Sequence, residues 1–521
     1  MNHIELFAGC GGLSLGMAKA GFEKILANEL SPMAAETFAY NFFNEDFHLK
    51  SLNKEKNENA LWISSQYSDL GKRLRENPFE YPELGKGYSD IPKDTSKVSG
   101  KLLVGNIIHL NQLIKSSPEL LNSIKTGFGR GGVDLVSGGP PCQSFSMAGM
   151  RKKDCDKNIL PWEFANFVEK VQPKFAMLEN VTGILRAFKE DGKSYHAWFE
   201  VAKVFASKGY VPLCLHINAR LVGIPQNRPR FIMIAPRYDV YQKLKDSFNS
   251  KESELFAVSE GLYTAIQKQN EYVFEDFKYF DATKSNDQDY FVDTFLSVLL
   301  NHKEVSVKDA INDLAFSSTN AKSDFINELN ENFSEFLTPK GTLPNHAKRA
   351  NGEHVRRRFR IYQILQDCGR PITLDVFNIF KQKAVSLPTD SWDTLKEYEY
   401  LIENNSYKQF ADKVEFENYL LAHATKKQTQ KALNANAPAP AALSIPDDAC
   451  HYDKEELRTL TVREMARIQS FPDDFEFRSK VTTGGKMRRF EVPQYTQVGN
   501  AVPPLLGAAL GYSIKDLLSR T

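Results

Sequence analysis

The stretch His3-Ile4-Glu5-Leu6-Phe7-Ala8-Gly9-Cys10-Gly11-Gly12-Leu13 decides the fold. Its first five residues read as a short buried strand, and the glycines that follow open a helical pattern over Gly11–Ala20. Glycines at such a turn let the backbone bend sharply and let a ligand approach the main chain closely. A second apolar run, Ile25-Leu26-Ala27-Asn28-Glu29, ends in an acid about twenty residues after the first strand. A carboxylate there can accept hydrogen bonds from two ribose hydroxyls. The glycine-rich turn alone could be no more than a tight turn; the acid after the second strand adds the ligand reading.

Strand and helix patterns continue to alternate outward from this junction. Further strands are expected at Leu102–Val104, Asp134–Ser137, Phe175–Glu179, Val211–Asn218 and Arg230–Ala235. Helices are expected at Pro32–Phe42, Trp162–Val171 and Tyr195–Lys208. Such alternation predicts an α/β fold, a mostly parallel sheet with helices on both faces. A polar, Lys/Glu/Asn-rich insertion at 44–100 interrupts it and carries no identifiable chemistry. From about 240 to 455 the rhythm stops, and Asn434–Pro446 (NANAPAPAALSIP) reads as an Ala/Pro-rich linker. Thr461 followed by Glu464 makes a capping box for a helix over Thr459–Ser470. Val502–Leu518 reads as a final apolar helix.

With 521 residues the chain can bury a large core in two or more domains. Hydrophobic residues make up 42% and charged residues 25%, a globular balance, and no run approaches the roughly eighteen apolar residues of a membrane span. No export signal precedes the first strand. Cys10, Cys142, Cys155, Cys214, Cys368 and Cys450 form no Cys-x-x-Cys pair, so neither a zinc site nor a redox motif is expected, and no metal is assigned. Scattered thiols fit a reducing cytoplasm. The net charge of +1 does not itself suggest a nucleic-acid partner. Residues 343–360, however, hold six Lys or Arg against one acid. Such a run is more often a solvated face, but it can also supply phosphate contacts.

Four features carry chemistry. The loop Gly138-Gly139-Pro140-Pro141-Cys142-Gln143-Ser144-Phe145-Ser146 is too stiff and bent for helix or interior strand, so it presents a thiol at the end of a strand. Glu179 ends the buried run Phe175-Ala176-Met177-Leu178, where its carboxyl could be held protonated or could simply cap the next turn. Arg228 and Arg230, two apart, project to one side if that stretch is extended. Finally, no Lys-Ser or Lys-Thr follows the first glycines, so this is not a phosphate loop. Nucleoside recognition without strong phosphate binding fits S-adenosylmethionine better than ATP.

Taken in order, these residues resemble the motifs of the DNA (cytosine-5) methyltransferase family of the bacterial restriction–modification type. Phe7–Leu13 and Glu29 resemble its cofactor motifs, Pro140-Pro141-Cys142-Gln143 its nucleophile motif, and Glu179-Asn180-Val181 its acidic motif. Gln226-Asn227-Arg228-Pro229-Arg230 is similar to its Gln-x-Arg-x-Arg motif. Arg463-Glu464 with Gln469 and Phe471-Pro472 resembles the motif after its variable recognition region. Gln497-Val498-Gly499-Asn500-Ala501-Val502-Pro503-Pro504 resembles its last motif. The family often has an aspartate where this chain reads Gly105-Asn106-Ile107.

The resemblance implies a Rossmann-like S-adenosylmethionine-dependent methyltransferase domain with a smaller, mixed target-recognition domain. Residues 1–240 would form the catalytic domain, 241–475 the recognition domain and adjoining motif, and 488–521 a segment returning to the catalytic domain. It further implies methyl transfer to carbon 5 of a flipped cytosine in double-stranded DNA through a Cys142 adduct. Glu179 would donate to cytosine N3, Arg230 would meet cytosine O2, and Arg228 would orient the catalytic loop or a phosphate. Phe7, Gly9, Gly11, Gly12, Leu13, Glu29, Asn106, Ile107, Pro141, Asn500 and Val502 would surround the cofactor, which leaves as S-adenosylhomocysteine. Ser144, Ser146, Arg356, Arg357, Arg358 and Arg360 would contact DNA, with the loop after Cys142 closing over it. The expected state is a cytoplasmic monomer guarding DNA against a restriction enzyme. An RNA methyltransferase, or an inactive DNA-binding protein on the same fold, would keep many of these features. Only an active enzyme, on either nucleic acid, needs both Cys142 and Glu179.

Overall fold

The computed structural model describes residues 1–141, 159–190, 193–300, 303–317, 319–425, 430–441 and 449–521. Cys142, Ser144 and Ser146 lie outside the described residues.

Nine strands form one sheet. They are β1 (Asn2–Leu6), β2 (Glu23–Glu29), β3 (Ala60–Trp62), β4 (Leu102–Val104), β5 (Leu135–Gly138), β6 (Phe175–Val181), β7 (Leu213–Asn218), β8 (Pro229–Pro236) and β9 (Phe280–Asp281). Their order across the sheet is β9-β7-β8-β6-β5-β1-β2-β4-β3. Every pairing is parallel except those of β8, which runs antiparallel to both β6 and β7. The mostly parallel sheet expected from the alternation is therefore present.

Side-chain alternation splits each central strand between two cores. On β8, Phe231, Met233 and Ala235 join one core and Ile232 and Ile234 the other; on β6, Ala176 and Leu178 oppose Phe175 and Met177. Helices Leu160–Val171 and Ala197–Ser207 cover the first face. Helix Gly12–Lys19 and the C-terminal helix Pro504–Ser519 cover the second. These two helices lie so close that a Cβ on Gly16 would be 2.4 Å from the Pro504 carbonyl oxygen.

Two departures have physical reasons. The polar insertion is not outside the fold: its Ala60-Leu61-Trp62 adds the edge strand β3, and Trp62 is fully buried. Three residues are too few to show a period in sequence. The α/β packing also continues past residue 240, because helix Ser250–Gln267 lies on helix Ala197–Ser207 and β9 pairs with β7.

A separate apolar cluster, including Phe359, Tyr362, Tyr400, Phe416 and Leu457, holds residues 355–457 together. The described part of the Ala/Pro-rich stretch, 434–441, is fastened rather than free. Val307 and Lys308 donate to the carbonyls of Ala437 and Ala435, and Ala439 exchanges backbone bonds with Pro225 and Asn227. The capping box forms as expected: the Thr461 hydroxyl accepts from Glu464 N–H, and the Glu464 carboxylate accepts from Thr461 N–H. No helix among the described residues is long and apolar enough to cross a membrane.

Candidate active site

In a sheet of this kind ligands gather beyond the carboxyl ends of the parallel strands. The turn after β1 lies there. Phe7 has a left-handed backbone (φ 56), uncommon for a residue with a side chain, and Gly9 follows at φ 57 with open space where a Cβ would stand. The Glu29 carboxylate, at the end of β2, braces this turn. One oxygen accepts from Gly9 N–H at 2.8 Å and the other from Ser31 N–H at 2.7 Å. Each oxygen keeps a further lone pair, a set suited to two adjacent hydroxyls. Burial raises the Glu29 pKa, with the Ser31 and Gly9 amides acting against it.

Gly12 must be glycine because a Cβ there would come 2.2 Å from the Val502 carbonyl oxygen. The first turn and the last motif are thus packed together although 490 residues separate them in sequence. Gly11 caps helix Gly12–Lys19 at φ 98. The Leu13 side chain is buried in the core against the C-terminal helix. Ile107 is likewise a core residue. The Asn106 amide oxygen accepts from Ile108 N–H, capping helix Ile107–Ser116. Asn500 is exposed, as is Pro141.

A second group assembles because β8 is antiparallel. Its first residues reach the edge where parallel β6 ends, with Arg230 opposite Val181 and Ile232 opposite Glu179. Arg230 Nε lies 2.6 Å from Glu179 Oε1, both side chains being about nine-tenths buried. Glu179 is therefore an ion-pair partner, not an isolated desolvated acid. Burial lowers the Arg230 pKa, and Glu179 opposes that shift. Gly139 presses on the same carboxylate: a Cβ there would stand 2.8 Å from Glu179 Oε2. Asn180 Nδ2 donates to the Pro140 carbonyl at 3.0 Å. The loop leading to Cys142 is in this way seated on Glu179 and Asn180.

Arg228 also has backbone partners in the last motif. It is buried, and its Nη2 donates to the carbonyls of Gly499 (3.0 Å) and Ala501 (2.8 Å). Burial and then the neighbouring Arg230 push its pKa well down. Arg228 thus ties the start of β8 to the last motif, which itself packs on the first turn. Gln469 adds a second tie, donating to the Val498 carbonyl. Arg463, its pKa lowered to about 10 by burial, donates to the carbonyls of Pro344, Pro472 and Phe475.

The four recognition arginines lie on helix Glu353–Cys368, on the separate cluster. They do not share one face. Arg356 bonds Asn405 and Arg360 the Glu399 carbonyl, both half-buried and about one turn apart. Arg357 pairs with Glu353, and Arg358 donates to the His423 carbonyl. A further basic stretch, Lys486-Met487-Arg488-Arg489, was not anticipated; the signal available was its Gly484-Gly485 start and the lack of acids around it. Among the described residues no group of three or more His, Cys, Asp or Glu could hold a metal ion.

The sheet order and the glycine turn braced by an acid define a Rossmann-like fold of the methyltransferase kind. Residues 1–65 and 121–516 match the C-5 cytosine-specific DNA methylase family, and the chain belongs to that family. The matched span passes over Asn106 and Ile107. The type II methyltransferase M.Bpa9945I of Bacillus paralicheniformis is 28% identical, the alignment covering 99% of each chain. M.DdeI of Desulfomicrobium norvegicum is 25% identical over 99% of this chain and 88% of its own. M1.HphI of Haemophilus parahaemolyticus is 23% identical over 99% and 86%. The chain is a DNA cytosine-5 methyltransferase.

Proposed function

We propose that the enzyme methylates carbon 5 of a cytosine flipped out of duplex DNA, with Cys142 as the covalent nucleophile. The observation that supports this most is the seating of the Cys142 loop, through Gly139, on a Glu179 carboxylate paired with Arg230. Cytosine carbon 5 is a poor nucleophile. Addition of the Cys142 thiolate to carbon 6 makes it the reactive end of an enamine. Glu179 takes up a proton from water as the base enters and donates it to N3 as negative charge builds there, while Arg230 fixes Glu179 and reaches O2. After transfer, loss of the carbon-5 proton and departure of the thiolate restore the ring. S-adenosylmethionine supplies the electrophilic methyl when bound and leaves as S-adenosylhomocysteine.

Glu29 takes the ribose hydroxyls. Phe7, Gly9, Gly11, Gly12, Asn106, Pro141, Asn500 and Val502 shape the pocket, while Leu13 and Ile107 support it from the core. Flipping the base costs a few kcal/mol, which DNA contacts offset. Ser144, Ser146, Arg356 and Arg360 supply such contacts, and Arg357 and Arg358 hold their helix in place. The recognition unit lies between the sheet and the last motif. The enzyme works as a cytoplasmic monomer protecting DNA from a partner restriction enzyme.

Tritiated methyl transfer from S-adenosylmethionine to unmethylated duplex DNA, followed by bisulfite sequencing, tests this. Methylation in one short sequence context, lost in Cys142→Ser, is expected. Transfer to structured RNA alone, or an active Cys142→Ser enzyme, would contradict it.

A further inference from the structure

Between Phe477 and Glu491 the chain carries Arg478, Lys480, Lys486, Arg488 and Arg489 and no acidic residue. In a protein whose charges sum to only +1 overall, this is a local excess. The two ends of the stretch are fixed. Arg478 pairs with Glu476 and Asp46, and Lys480 with Glu491. Gln494 N–H donates to the Lys480 carbonyl, and Gln494 Nε2 to that of Ser479.

The tip is different. Gly485 turns at φ 58 into a short 3-10 turn, Gly485–Arg489, which is exposed throughout. Lys486, Arg488 and Arg489 make no ion pair among the described residues. Arg488 donates only to the Thr483 carbonyl, at 3.3 Å. Three cations stand on a turn whose base is anchored, so little ordering is needed before they engage a partner.

The base of this arm stands at a junction. Asn345 donates to the Phe477 carbonyl and accepts from Phe477 N–H, and it opens the basic run 343–360. On the other side, Gln497 bonds the carbonyls of Arg478 and Val492 and the Thr37 hydroxyl of helix Pro32–Phe43. The helix that follows, Gln494–Asn500, leads to the carbonyls that Arg228 holds. The arm thus projects from the seam between the sheet and the basic run.

We infer that Lys486, Arg488 and Arg489 form a clamp for the DNA phosphate backbone, acting on any sequence and separate from base reading. This rests on the enzyme's action on duplex DNA. Exposed cations that no carboxylate among the described residues pairs with suit phosphate oxygens, whose neutralisation releases counterions.

The test compares the full-length enzyme with Lys486→Gln/Arg488→Gln/Arg489→Gln. Binding to a random-sequence duplex is measured across a salt series, with bisulfite mapping of methylated sites alongside. Each lost phosphate contact should flatten the slope of log K against log salt by about 0.9, so a loss of roughly 2–3 is expected for three contacts. The methylated sequence should stay the same. Arg488→Lys/Arg489→Lys, which keeps the charge, should retain the parent slope. An unchanged slope in the triple variant would overturn the clamp, and so would an altered methylated sequence, which would mean that these residues read bases. Failure of the parent enzyme itself to bind duplex DNA would overturn the clamp together with the activity on which it rests, and the parent arm alone reveals that case.

Discussion

Arg228 and Arg230 are buried at the sheet edge, one committed to two backbone carbonyls and the other to a carboxylate. Arg356 and Arg360, on the helix of the separate cluster, are only half-buried and hold one neutral acceptor each. A buried guanidinium with fixed partners is costly to move and sets geometry. A half-exposed one on a single neutral acceptor can exchange it for a phosphate at smaller cost. The sheet edge is thus built for positioning and the second region for adjustable contact with a long, charged substrate.

The sharpest way to break this comparison is Glu179→Gln. It removes the carboxyl that Arg230 and Gly139 enclose, and methyl transfer should fall by roughly 10²–10⁴-fold, as for loss of a general acid. DNA binding should change little. A mild loss of rate would mean that the ion pair is only structural.

Arg228→Met comes next. It leaves the Gly499 and Ala501 carbonyls unpaired, and about 1–3 kcal/mol of stability should go with each buried group left unsatisfied. Urea unfolding measures that loss, and KM for S-adenosylmethionine should rise with it. The matching change Arg356→Gln should leave stability within about 0.5 kcal/mol of the parent. Gly12→Ala forces a Cβ against the Val502 carbonyl. Overpacking of this kind costs roughly 1–3 kcal/mol, so cofactor affinity should drop about tenfold or more while DNA affinity holds.

A pH-dependent effect concerns Glu5, under the first turn. Burial raises its pKa from 4.5 to about 8 while the Ser14 hydroxyl bonds it. Its folded value lies above its unfolded one, so its contribution is full below about pH 4.5 and is lost as pH rises through about 8. Glu5→Gln should therefore flatten the fall in Tm across that window. A thermal melt series from acid to mildly alkaline pH would show it, and an unchanged curve would place the proton elsewhere.

Legibility in the sequence followed the same division. The turn at Phe7–Leu13, Glu29, Glu179 and Arg230 could be read because strand ends and glycine turns constrain residue type at fixed spacing. The antiparallel run of β8 could not be read, yet it alone brings Arg230 to Glu179. Arg228 was visible as a charge, but its partners lie about 270 residues away in sequence. The run Arg356–Arg360 reads as one basic patch, whereas the helical period turns its members to different sides. The loop Lys486–Arg489 matched no motif; its glycine start was visible, but its exposure and the absence of ion pairs among the described residues appear only in three dimensions.

The most direct test of the reaction centre uses duplex DNA whose target cytosine carries fluorine at carbon 5. The missing carbon-5 proton blocks release of the thiolate, so a protein–DNA adduct should accumulate in the presence of S-adenosylmethionine. Digestion and mass spectrometry should place the linkage on Cys142, with far less adduct in Glu179→Gln. A linkage at another residue, or methylation of ordinary DNA by an enzyme lacking the Cys142 thiol, would contradict the account.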